Sequence, residues 1–179
     1  MILRIENETF IEDVTQRERT VFFLVSCYAW LEENRSVTSG ERVDALEDYQ
    51  IVSNLGDTTD YSRLNENGSL TDYLFRMPAS EVIRFYGEVI GKERAYETGS
   101  DGSAETFVYC GEDGWLYGSR WDEGNYYVVV DDFEKKENEC IVHASVWNTS
   151  MNDRLAGVTV TLTPTEGKYG YVLKDYVLQ

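Results

Sequence analysis

The sequence predicts an α+β domain: N-terminal helices followed by a curled antiparallel β-sheet meander, in a cystatin-like or NTF2-like arrangement. Two observations carry that prediction. Apolar residues recur at helical spacing through residues 14–31 and 82–90, and from Glu105 onward they alternate with a period of two between short clusters of turn formers. The chain has 179 residues and 42% hydrophobic content, enough for one core of ordinary size. A single domain over 1–179 is therefore expected, with 1–56 mainly helical, 57–72 a loop or weak hairpin, and 73–179 a helix plus antiparallel sheet.

The first helix rests on Val14, Val21, Phe22, Leu24, Val25, Tyr28, Trp30 and Leu31, which make a broad apolar face before Glu32, Glu33 and Asn34. The same stretch, RERTVFFLVSC over residues 17–27, ends on the letters at which bacterial lipoproteins are cut. An export signal needs roughly 7–15 apolar residues directly behind a basic start. Here Val21 to Val25 is short, Glu6, Glu8, Glu12 and Asp13 precede it, and apolar residues continue past Cys27. A buried helix explains that continuation, and the run is too short to cross a bilayer, which takes about 20 residues. A second helix is predicted from Thr38-Ser39-Gly40-Glu41, a capping-box pattern ahead of Val43, Leu46, Tyr49 and Ile51. A third starts at Pro78, Ser80 and Glu81, repeats Val82, Phe85, Val89 and Ile90, and closes at Gly91. Strands are predicted at Thr106 to Cys110, Trp115 to Ser119, Tyr126 to Phe133, Cys140 to Trp147, Gly157 to Thr163 and Tyr169 to Leu178, with the helix over 79–90 packed across their apolar face.

Charge narrows the partners. With 33 acidic against 16 basic residues and a net charge of -17, the average surface repels nucleic acid and anionic membranes. His143 is the single histidine, and with no CxxC or HExxH no metal or cofactor site is predicted. The segment RLNENGSLTDYL has EF-hand-like spacing, but Arg63 and Leu74 occupy the positions of its first and last carboxylates. Asp122-Glu123 and Asp131-Asp132 stay open as irregular calcium ligands or as ordinary solvated acids. Cys27, Cys110 and Cys140 are either three reduced thiols or a Cys110–Cys140 bridge with Cys27 left over. Four Asn-X-Ser/Thr sequons, at Asn7, Asn34, Asn67 and Asn148, carry meaning only in a eukaryotic secreted chain.

The most unusual stretch is GWLYGSRWDEGNYY, residues 114–127, which sets two Trp and three Tyr among Gly, Arg and acids. Flat rings beside hydrogen-bonding groups suit sugar or peptide recognition, although they equally suit β-sheet packing. Trp115, Tyr117, Arg120, Trp121 and Tyr126 are the candidate ligand-binding residues. The run MPASEVIRFYGEVIG, then FVYC, the aromatic segment continuing to VVVDDF, and the closing GKYGYVLKDYVL resemble the carboxy-terminal modules of uncharacterised cell-envelope lipoproteins of Gram-positive anaerobic bacteria, over roughly residues 75–179. That resemblance implies an extracytoplasmic α+β module with no assigned reaction and no catalytic residue. The expected function is a non-catalytic binding module for a carbohydrate, peptide or protein partner. Two alternatives stand beside it: a small enzyme with a pocket between helix and sheet using His143 or Asp131, and a cytoplasmic protein that docks its acidic face onto a basic partner.

Overall fold

The computed structural model describes residues 15–36, 40–99, 108–119, 126–150 and 152–179. In chain order these form α1 (Gln16–Glu33), α2 (Gly40–Leu55), β1 (Asp57–Leu64), β2 (Leu70–Pro78), α3 (Ala79–Phe85) and a π-helical turn (Tyr86–Ile90). Then come β3 (Val108–Cys110), β4 (Trp115–Ser119), β5 (Tyr126–Lys135), β6 (Cys140–Asn148), β7 (Arg154–Pro164) and β8 (Tyr171–Leu178). The protein is α+β with two four-stranded antiparallel sheets, ordered β1-β2-β4-β3 and β5-β6-β7-β8. Its contacts group into two compact units: a split unit from 1–33, 88–91 and 122–179, and an inserted unit from 34–87 and 92–121.

In the split unit, α1 opens on a capping box that the apolar pattern alone does not reveal. Thr15 N–H donates to Glu18 Oε2 (2.9 Å) and Glu18 N–H to Thr15 Oγ1 (3.3 Å), satisfying two donors that a helix start leaves orphaned. Every residue from Thr20 to Ala29 is buried, so RERTVFFLVSC lies within a core helix and Cys27 is 1% exposed. β5 to β8 form the expected meander, and Val128, Val130, Val142, Ala144, Val146, Val158, Val160 and Leu162 line its buried side. Phe22 of α1 sits 5.4 Å from Phe133 and 5.3 Å from Tyr171, ring centre to ring centre.

The helix laid across this sheet is α1, not the one expected at 79–90. α3 is only seven residues long and packs on β2 and α2. Apolar periodicity announces that a helix is buried; it does not say against which sheet.

In the inserted unit, of the loop and the weak hairpin expected for residues 57–72, the structure has the hairpin, β1–β2, whose second strand runs on to Pro78. Asn65 shapes its turn, accepting the Gly68 N–H on its carbonyl (2.9 Å) and donating its amide to Thr71 Oγ1 (2.7 Å). β3 and β4 therefore join this hairpin and leave the single meander that the strand spacing suggested. α2 packs on β2, β3 and β4. At its end a Cβ on Gly56 would clash with the main-chain oxygens of Arg76 and Val52, so only glycine permits that approach. Among the described residues no helix is long and apolar enough to cross a membrane.

Candidate functional site

Strand alternation gives the inserted sheet two unlike faces. Gly118 faces α2, where a Cβ would touch Tyr49 and Val52, so its neighbours Tyr117 and Ser119 point the other way. On that far face Tyr61, Tyr73, Tyr109 and Tyr117 come from four different strands, with ring centres 4.5 to 6.4 Å apart. Tyr73, Tyr109 and Tyr117 are a buried floor against which the half-buried Trp115 packs, and Tyr61 at the edge is 37% exposed. Two guanidiniums lie over these rings: Arg63 is 3.8 Å from the centre of Tyr109 and Arg76 4.8 Å from that of Trp115.

The β3–β4 turn holds Trp115 in place. Gly114 adopts φ 80°, a conformation open to glycine, and its carbonyl accepts the Ala79 N–H at 2.9 Å. Asp113 Oδ1 accepts the Trp115 N–H (3.1 Å), and Asp113 Oδ2 accepts the Tyr117 hydroxyl (2.5 Å). Burial and that carboxylate push the Tyr117 phenol up to about 12, against the opposing pull of the neighbouring Arg76.

A second cluster ties an irregular segment onto α2. Asp44, Glu47 and Asp48 sit on adjacent turns, and Arg94 reaches all three, at 3.0, 2.9 and 3.4 Å. Arg35 pairs with Asp44 at 2.7 Å and approaches Glu47 at 3.8 Å. The Tyr86 and Tyr96 hydroxyls both donate to Asp48 Oδ1 at 2.8 Å, and Arg94 stacks 4.2 Å above the Tyr86 ring. Burial raises the Asp48 carboxyl, and Arg94 and the two tyrosines only partly offset it. Burial would also raise Asp44, but its two arginines outweigh that and hold it below the ordinary value. The cluster stitches residues 92–98 down by charge rather than by regular hydrogen bonding.

The outer face of the split unit's sheet is wetter. His143 is exposed, with Nδ1 3.2 Å from Thr159 Oγ1 and Nε2 4.0 Å from Asp132. Ser145 donates to Asp131 Oδ1 (3.0 Å) and accepts from Trp147 Nε1 (2.9 Å), while Tyr127 stacks on Trp147 at 6.5 Å. Burial raises the Asp131 carboxyl, with Ser145 and Arg154 pulling against it.

Of the predicted ligand residues, Trp115 and Tyr117 come together on one face. Tyr126 lies in β5 of the split unit, where it meets Trp30 edge to face at 5.6 Å. Arg120 and Trp121 fall outside the described residues, as do Asp122 and Glu123. Sequence reasoning missed Tyr61, Arg63, Tyr73, Arg76 and Tyr109, because the first two lie in the stretch expected as a loop or weak hairpin, and Tyr73 and Arg76 follow it in a strand that was not expected. All three cysteines are free and buried, so the alternative of a Cys110–Cys140 bridge gives way to three thiols. Burial lifts each of them, Cys140 to about 11. Among the described residues no group of three or more His, Cys, Asp or Glu side chains is placed to hold a metal ion. Comparison of the chain with protein-family models, curated proteins and solved structures gives no match.

Proposed function

We propose that this protein is a non-catalytic binding module whose ligand rests on the aromatic face of the inserted unit. One observation carries the reading: Trp115 and Tyr61 reach solvent beside a buried tyrosine floor, with guanidiniums over Tyr109 and Trp115. Rings held rigid by packing lose little entropy when a ligand stacks on them, which is why such surfaces serve recognition. The resemblance over residues 75–179 supports a cell-envelope setting, and a helix across a four-stranded meander supports a cystatin-like description of the split unit.

The test is a ligand panel of soluble wall polysaccharides and short peptides, read by thermal unfolding of the wild type, Trp115→Ala and Trp147→Ala. A saturable rise in Tm lost in Trp115→Ala and kept in Trp147→Ala is expected. No rise with any ligand, or equal loss in both variants, overturns the assignment.

A further inference from the structure

We propose that the ligand of this face is an acidic oligosaccharide whose ring carboxylate is held by Arg76; the inference rests on the binding reading above. Elsewhere in this acidic chain the partly buried Arg35 and Arg94 each reach two or three carboxylates. Arg76 is different. Among the described residues no ion pair joins it to a carboxylate; its guanidinium bonds the Tyr117 side chain, and its buried Nε, like that of Arg94, has no hydrogen-bond partner. The nearby Asp113 is occupied by the Tyr117 hydroxyl and the Trp115 N–H. Lying over Trp115, the guanidinium turns its flat face to the ring and gives one in-plane donor to Tyr117, and its remaining terminal N–H groups can take a carboxylate.

The same placement favours a sugar over a peptide. An extended peptide gains affinity by pairing its main chain with a sheet edge, whereas Arg76 and Trp115 stand on β2 and β4, inner strands paired on both sides, and Tyr61 alone of the solvent-reaching rings stands on an edge, β1. A sugar needs ring faces, and those are what Trp115 and Tyr61 offer. The net charge of -17 does not forbid an anion here. Exposed charges beyond about 8 Å are screened at physiological salt, whereas an arginine in contact is not.

Calorimetric titration of the full chain with galacturonic acid tetrasaccharide, cellotetraose and tetraglutamate tests this, with Arg76→Gln and Arg76→Lys compared by circular dichroism for intact folding. The acidic sugar should bind best, weaken about tenfold or more in Arg76→Gln, the loss expected for one charge-assisted contact, and recover in part in Arg76→Lys. Equal binding of cellotetraose, or no change in Arg76→Gln, overturns the acidic assignment while leaving the binding face in place. Tighter binding of tetraglutamate overturns the sugar in favour of a peptide. Binding of none of the three overturns the inference, and the polysaccharide and peptide panel then decides separately whether the face binds at all.

Discussion

α1 buries Val21, Phe22, Phe23, Leu24 and Val25 against an apolar sheet, whereas α2 buries Glu47, Asp48 and Gln50 beside its Val43 and Val52. Each helix lies on a four-stranded antiparallel sheet, and α1 adds the bonds of Glu18 to Lys135 and Tyr171 at its start, whereas α2 carries a network of three acids against two arginines that ties Arg35 and residues 92–98 to the helix. The Gln50 amide, 1% exposed, even lacks a hydrogen-bond partner among the described residues. Hydrophobic burial is insensitive to pH and holds wherever shapes fit. A buried ion network holds only while its members keep their partners and their protons. The inserted unit, which carries the candidate site, thus adds to its apolar core a buried ion network for which the helix of the split unit has no counterpart of that size.

Phe22→Ala should have the largest effect. It removes a fully buried ring and its edge and tilted contacts with Tyr171 and Phe133, for a loss of about 4 kcal/mol. Hydrogen exchange should show that loss in β5 to β8, with the same magnitude at pH 5 and pH 7. Arg94→Met comes next, at about 3 kcal/mol, because it strands Glu47 and Asp48 as buried carboxylates with less compensation. Its protection loss should fall on α2 and residues 92–98 and shrink as the pH drops and the carboxylates take up protons. A loss from Arg94→Met that ignores pH would erase the distinction between the two helices.

How far the sequence exposed this contrast depends on the range of each interaction. α1 and the strands from Trp115 onward were legible, since period and turn chemistry are local; Trp115–Ser119 matches its expected bounds. The β1–β2 hairpin was only half legible because Asp57, Thr58, Asp60 and Ser62 keep one edge strand polar and exposed, and a polar strand reads as a loop. Without that hairpin, β3 and β4 had no other sheet to join, and a single meander was the natural inference. Trp115 and Tyr117 stood out by composition, but Arg76 belongs to the second strand of the hairpin that this polar edge conceals. The α2 acids stand at i, i+3 and i+4, a spacing that the apolar reading of this helix passed over; their partner Arg94 is 46 to 50 positions away, a pairing no local pattern reports.

Asp48→Asn is the smallest change and the sharpest discriminator, because it should act in the opposite direction. Burial raises the Asp48 carboxyl above its ordinary value of 3.8, so the folded form binds that proton more readily than the unfolded chain. A group shifted this way contributes stability below its unfolded pKa and loses it as the pH climbs through the raised value. At neutral pH the ionised Asp48 is then a burden on the inserted unit, with one acid more than the arginines of the cluster neutralise. Asparagine keeps an oxygen to accept the Tyr86 and Tyr96 hydroxyls and carries no charge to desolvate. The variant should therefore melt a few degrees higher than wild type at pH 7, and the two curves should converge as the pH falls toward the ordinary aspartate range. A lower Tm at pH 7, with the wild-type pH slope unchanged, would mean that the Asp48 charge anchors Arg94 more than it costs to bury. The two helices would then differ in chemistry but not in how firmly each is held.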